Sequence, residues 1–130
     1  MFADNGFNED DLCRMDDSFK AWLAPRLQDG KYFGYMVEDD GVVVAGVGLM
    51  LMEFPPHPKH PEDGQRGYIL NVFVEPSYRG KGIAVELVKL SEAEFKQRGV
   101  TYAVLHASTM GRPIYEKLGW SASSEMAKFM

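Results

Sequence analysis

The run Asn71-Val72-Phe73-Val74-Glu75-Pro76-Ser77-Tyr78-Arg79-Gly80-Lys81-Gly82-Ile83-Ala84 constrains this chain more than any other segment. It reads as a buried strand that turns sharply into a glycine-rich loop, and the loop opens directly into a helix. The N–H groups of such a loop, and of the first helical turn, have no intrahelical partners. Together with the helix macrodipole they form a ready site for phosphate oxygens. Gly80 and Gly82 permit the tight turn and let a ligand approach the backbone closely. Arg79 and Lys81 add cationic side chains at the same point. A strand leading into an anion cradle that leads into a helix is a place to hold a phosphorylated cofactor.

Three phosphate-binding devices compete for the loop. A nucleotide P-loop requires G-x-x-x-x-G-K-[ST], which no segment of this chain fits. The dinucleotide fingerprint G-x-G-x-x-G/A finds two glycines in Gly80-Lys81-Gly82-Ile83-Ala84-Val85 but ends on Val85. It also expects an acidic residue at the end of the next strand, where Leu105-His106 supplies none. The spacing [QR]-x-x-G-x-[GA] is met in full by Arg79-Gly80-Lys81-Gly82-Ile83-Ala84. This segment resembles the acetyl-CoA pyrophosphate loop of the GNAT N-acetyltransferase superfamily.

Context sharpens the resemblance. In that family the loop follows a strand ending in V-x-P, and Val74-Glu75-Pro76 stands in that place. A long helix, a strand and a short helix bearing a tyrosine before a Gly-aromatic pair come next. Here 82–98 reads as helix and 100–105 as strand, and Gly111-Arg112-Pro113-Ile114-Tyr115-Glu116-Lys117-Leu118-Gly119-Trp120 matches the remainder. The resemblance covers roughly 32–120 and implies the α/β (α+β) GNAT fold, a mixed central sheet with helices on both faces. Nothing before Phe7 looks like the family's usual first strand, so either that strand is absent or the chain lacks its natural beginning. The strand edge so exposed calls for cover by a partner subunit, hence a homodimer.

The 130 residues and 14.6 kDa predict one domain, 1–130. No apolar run approaches a membrane span, and Met1-Phe2-Ala3-Asp4-Asn5-Gly6 is not a signal peptide. A single cysteine, Cys13, excludes an internal disulfide and fits a reducing compartment, so the cytoplasm is expected. Cys13 reads as a small buried hydrophobe on the first helix. The net charge of −5 argues against nucleic acid, suits a cationic amine substrate, and requires a polyanion to be held by local positive charge. Arg79, Lys81 and Lys89 are placed to supply it.

Leu12, Met15, Phe19, Trp22 and Leu23 recur at helical spacing and predict helix over 10–23, broken or kinked at Pro25. The segments 31–37 and 42–52 read as strands joined by a hairpin at Asp39-Asp40-Gly41. Gly46 and Gly48 in the second of them suggest a bulge or a close backbone approach. The proline-rich stretch 54–67 reads as a loop over the active-site face and a candidate substrate lid. His57 and His60 within it lack the partners of a metal site, and no metal is expected. In the helix after the glycine loop, Ile83, Leu87 and Leu90 form one apolar row and Ala84, Val88 and Phe95 another. Gly99 reads as its C-terminal cap, and Trp120 as the start of a final strand.

The resemblance implies acetyl transfer from acetyl-CoA to a primary amine of a small molecule, by direct attack in a ternary complex. Acetyl-CoA would lie where a bulge splays the central strand from its neighbour. The backbone of Phe73 and Val74 would then meet the pantetheine arm, with the Val74 N–H polarising the thioester carbonyl. Backbone amides of Arg79, Gly80, Lys81, Gly82, Ile83 and Ala84 would hold the pyrophosphate. Tyr115 matches the family tyrosine that faces the CoA sulfur. Glu53 is the first candidate for the general base, with Asn71 and His106 as substrate-pocket residues and further candidates. A non-catalytic module that binds acyl-CoA as a sensor is the alternative function.

Overall fold

The computed structural model describes residues 9–61 and 64–130. In order they form α1 (Glu9–Asp29), β1 (Tyr32–Asp39), β2 (Val42–Glu53), β3 (Gln65–Val74), α2 (Ile83–Gln97), β4 (Ala103–Leu105) and α3 (Arg112–Lys117), with a 3-10 turn at Pro76–Tyr78. The expectation for residues before Phe7 lies outside the described residues, as do the side chains of Leu12, Cys13 and Met15. Among the described residues the sheet has four strands in the order β1-β2-β3-β4. The first two pairings are antiparallel and the β3–β4 pairing is parallel.

Strand alternation decides which helix each residue meets. Tyr32 and Phe33 are neighbours on β1 and point to opposite faces. The Tyr32 ring meets Trp22 of α1 edge-on at 5.7 Å, and the Phe33 ring meets Phe95 of α2 at 6.5 Å. The sheet is thus sandwiched between α1 and α2. The core lies on the α2 face, where Ala45, Val47, Leu49 and Ile69 pack against Leu87, Val88 and Phe95. Each large apolar side chain buried there contributes about 1.5–3 kcal/mol.

The expected row on α2 is shifted by one position. Leu90 is 45% exposed, and the fully buried place goes to Ser91. The helical period makes 87, 91 and 95 one line, and the Ser91 hydroxyl donates to the Leu87 carbonyl at 2.7 Å. Gly99 does close the helix in a left-handed conformation, with the Val100 N–H reaching back to Phe95 O at 2.9 Å. The hairpin forms as expected, with Asp40 and Gly41 both at positive φ.

Three expectations are corrected. α1 runs through Pro25 to Asp29 without breaking. The Arg26 guanidinium donates to the Trp22 carbonyl at 2.8 Å and lies 4.3 Å over the Trp22 ring, which braces that last turn. The loop after β2 does not cover the cleft described below. It sits at the opposite end of the sheet, where Lys59 and Arg66 lie over the Tyr102 ring and buried His60 accepts from Arg66 Nε at 2.9 Å. Trp120 starts no strand: residues 121–130 have no regular structure, and the indole N–H is taken by Glu92 at 2.9 Å.

Candidate active site

The β3–β4 pairing covers only Gly67–Ala103, Tyr68–Val104 and Ile69–Leu105. Beyond Ile69 the two strands part. The cause lies in β3, where the register against β2 steps from Gly48–Leu70 to Gly46–Phe73. Two residues of β3, Asn71 and Val72, thus oppose one of β2, which is a β-bulge. Asn71 takes the left-handed conformation, φ 54°, that asparagine tolerates better than most residues. Its side-chain amide donates to the Tyr32 hydroxyl at 3.1 Å. That hydroxyl lies over Gly48, where an added Cβ would stand 1.6 Å from it. The bulge suggested by the two glycines of β2 therefore lies across from them in β3, and Gly48 serves the close approach.

Past the bulge, β3 presents a free edge to a cleft of about 440 Å³. Val72, Phe73 and Val74 form one wall; Ser108, Ile114 and Tyr115 form the other. The Glu75 N–H donates to Val44 O on β2 at 2.8 Å. Because successive strand residues aim their N–H groups at opposite neighbours, the Val74 N–H turns away from β2 into the cleft. The Val74 carbonyl, on the same side, accepts from Arg79 Nε at 3.0 Å.

The glycine loop closes the cleft's end. Gly80 and Gly82 both have positive φ, at 80° and 78°, and an added Cβ at either would meet nothing within 4 Å. Gly82 is the N-cap of α2, and without a side chain it leaves the first-turn N–H groups of α2 uncapped. Gly80, Gly82, Ile83, Ala84 and the Arg79 side chain's residue line the cleft. Lys81 is exposed beside it, its ammonium 5.2 Å from the ring centroid of cleft-lining Tyr78. Tyr78 is itself tied to Asp39 by a hydrogen bond that raises its pKa. Lys89 is exposed on α2 and does not line the cleft.

Tyr115 is seated by local geometry on α3. The Ser108 hydroxyl accepts from the Gly111 N–H at 3.1 Å, and the Tyr115 ring passes so near Gly111 that a Cβ there would meet it at 3.3 Å. Burial raises the Tyr115 pKa above the usual 10.0, so the phenol stays protonated and able to donate. Tyr115 also lines a second pocket of about 370 Å³ with Tyr68, His106, Arg112, Glu116 and Glu125. It is the wall the two cavities share.

The structure therefore gathers Phe73, Val74, the glycine loop and Tyr115 around one cleft, and places His106 in the adjoining pocket. It does not bring Glu53 there. β2 runs antiparallel to β3, so Glu53 pairs with Gln65, seven residues from the Gly46–Phe73 pair. At 3.3 Å per residue that is roughly 20 Å away. Asn71 does not face the opening either, because its side chain is committed to Tyr32. Tyr32 and Tyr68, which hold Asn71 and His106, escaped the sequence reading. Their only sequence signal is strand alternation, which does not say which cross-strand neighbour a hydroxyl meets.

Comparison with known proteins agrees with the fold. A crystal structure of a GCN5-related N-acetyltransferase from Ralstonia eutropha JMP134 superposes with a TM-score of 0.96 at 50% identity, over 100% of this chain and 85% of that one. A predicted acetyltransferase from Clostridium acetobutylicum, crystallised with acetyl-CoA, gives 0.83 at 28% identity, over 89% and 75% of the two chains. A glucosamine 6-phosphate N-acetyltransferase from Trypanosoma brucei brucei is 34% identical over 83 residues, 63% of this chain and 53% of that protein. The aligned stretch thus spans about half the length of that curated relative. The sequence model of the Acetyltransferase (GNAT) family matches residues 2–120. On that match, and on the fold it shares with these structures, the chain belongs to the GNAT acetyltransferase family.

Proposed function

We propose that this chain transfers the acetyl group of acetyl-CoA to a primary amine by direct attack, with both substrates bound together. The observation that carries the reading is Tyr115, the common wall of the cleft and the second pocket. A donor in the first cavity and an acceptor in the second would meet at its hydroxyl.

The residues fit an acetyl-CoA molecule. The uncapped N–H groups at the start of α2, with Gly80 and Gly82 leaving open space above them, suit a pyrophosphate. Arg79, and Lys81 beside it, offset the chain's net charge of −5 locally. The free edge of β3 at Val72 and Val74 suits the amide groups of a pantetheine arm. Bound there, acetyl-CoA supplies the thioester to be attacked and the thiol that leaves.

The protein's part is then orientation and fixed dipoles. The Val74 N–H points into the cleft and can stabilise negative charge growing on a carbonyl oxygen. The Tyr115 hydroxyl donates a hydrogen bond to the departing sulfur. Full proton transfer from a tyrosine to a thiolate at ordinary pKa values runs uphill by about 2 kcal/mol. Burial of Tyr115 widens that gap, so donation without transfer is the role assigned. No nucleophile is needed.

The test is release of free CoA thiol on mixing the protein and acetyl-CoA with a panel of primary amines. The relative from Trypanosoma brucei brucei puts glucosamine 6-phosphate first in that panel. Acetyl-CoA binding without thiol release from any amine would overturn transfer in favour of the sensor reading.

A further inference from the structure

The pocket that shares Tyr115 with the cleft holds a pair of side chains for which the acetyl-donor site has no use. His106 stands exposed just past β4, and its Nε2 is hydrogen-bonded to the Tyr68 hydroxyl. The two rings are 5.6 Å apart and tilted by 46°. Pairing of Tyr68 with Val104 brings them together, since it sets β3 and β4 in register just before the strands part. Both residues line the pocket, and Nδ1 of His106 has no hydrogen-bond partner among the described residues.

We propose that His106 removes the proton from the acceptor's ammonium group in this pocket, with Tyr68 as the positioning residue that fixes the imidazole. This rests on the acetyl-transfer reading above. The role of one histidine nitrogen is set by the bond the other makes. In this proposal the Tyr68 oxygen accepts from Nε2–H, which puts the lone pair on Nδ1. Burial, and then the Glu125 charge, raise the Tyr68 pKa, so Tyr68 stays a neutral hydroxyl.

The proton balance is simple. An N–H bond of the ammonium breaks, an Nδ1–H bond forms, and the amine keeps the electron pair for attack. The imidazolium still donates Nε2–H to Tyr68 and returns its proton to solvent. The other ionisable groups lining the pocket are Tyr102, Arg112, Tyr115, Glu116 and Glu125. Arg112 and Glu116 pair with each other at 3.6 Å on α3, and Glu125 is the remaining carboxylate of the lining, suited to an ammonium-bearing acceptor. Glu53, the carboxylate first expected in this role, lies at the far end of the sheet.

The test joins a readout on the free protein to one on turnover. Nitrogen-15 NMR of the His106 ring should show the Nε2–H tautomer, with Nδ1 taking the proton as pH falls, and Tyr68→Phe should disturb both. With glucosamine 6-phosphate and ethylamine as probes, kcat/KM should fall on the acid side with the pKa measured by NMR. His106→Ala should lower it about 10²- to 10⁴-fold, abolish that limb and leave acetyl-CoA affinity unchanged. Added imidazole should restore part of the rate. An Nδ1–H tautomer, or a wild-type rate and acid limb in His106→Ala, would overturn the assignment alone. Failure of both probes in a protein that still binds acetyl-CoA would overturn the transfer reading and this one with it.

Discussion

Burial suits Tyr115 to the donor role proposed for it. A half-buried phenol with a raised pKa is a poor acid but a durable hydrogen-bond donor. Tyr115→Phe keeps the ring that packs against Gly111 and should leave the fold and acetyl-CoA KM unchanged. It should lower kcat about 10- to 1000-fold, the span covered by one transition-state donor. A wild-type kcat, with chemistry shown to be rate-limiting, would return Tyr115 to a packing role. In the donor role proposed the protonated form is the active one, and because its pKa is raised the midpoint of any alkaline loss of activity through Tyr115 should lie above the ordinary tyrosine value of 10.0. The residue was legible because its motif is local: Gly111, Pro113, Tyr115 and Gly119 lie within one short helix and its caps. His106 was legible as a polar strand end, but its Tyr68 partner is 38 residues away, a pairing that only the fold sets.

At the level of elements, the glycine loop and the bulge are the two devices that open the cleft, and they differ in how local they are. The loop could be read directly, since glycine at φ near 80° before a helix is a property of a few adjacent residues. Gly82→Asp would force a side chain into that conformation and put a negative charge at the helix N-terminus. It should abolish acetyl-CoA binding, and unchanged affinity by calorimetry would refute the pyrophosphate site. The bulge is a three-strand construction of Asn71, Tyr32 and Gly48, so sequence showed only a polar interruption in a strong strand. Asn71→Ala loses both the hydrogen bond and a residue suited to positive φ, at a cost of about 1–3 kcal/mol. Asn71→Gly restores the conformation alone and should be milder in urea unfolding; equal losses would mean that backbone conformation is not what Asn71 supplies. The misplacement of Glu53 was avoidable in principle, because a hairpin followed by an antiparallel strand already carries the end of β2 away from the end of β3.

For the whole molecule the open question is what meets the sheet's outer edges. β1 is an eight-residue edge strand paired on one side only, among the described residues. Among those residues its outer side meets no other strand and offers N–H and C=O groups as a template for one. Apolar side chains accompany it: Met36 is 71% exposed, and Val42, across the hairpin turn, is 62% exposed. Natural edge strands are usually guarded by charge, proline or a cover. The charged residues of β1, Glu38 and Asp39, gather at its hairpin end and leave the middle open. We therefore expect a homodimer that covers β1. Light scattering should give twice the 14.6 kDa chain mass at micromolar concentration. Met36→Lys, which places a charge in the middle of the edge, should shift that mass toward the monomer. It should leave acetyl-CoA binding intact, because Met36 does not line the cleft and is separated from cleft-lining Phe73 by Gly46 of β2. A monomer mass for the unaltered chain across the micromolar range would rule the dimer out.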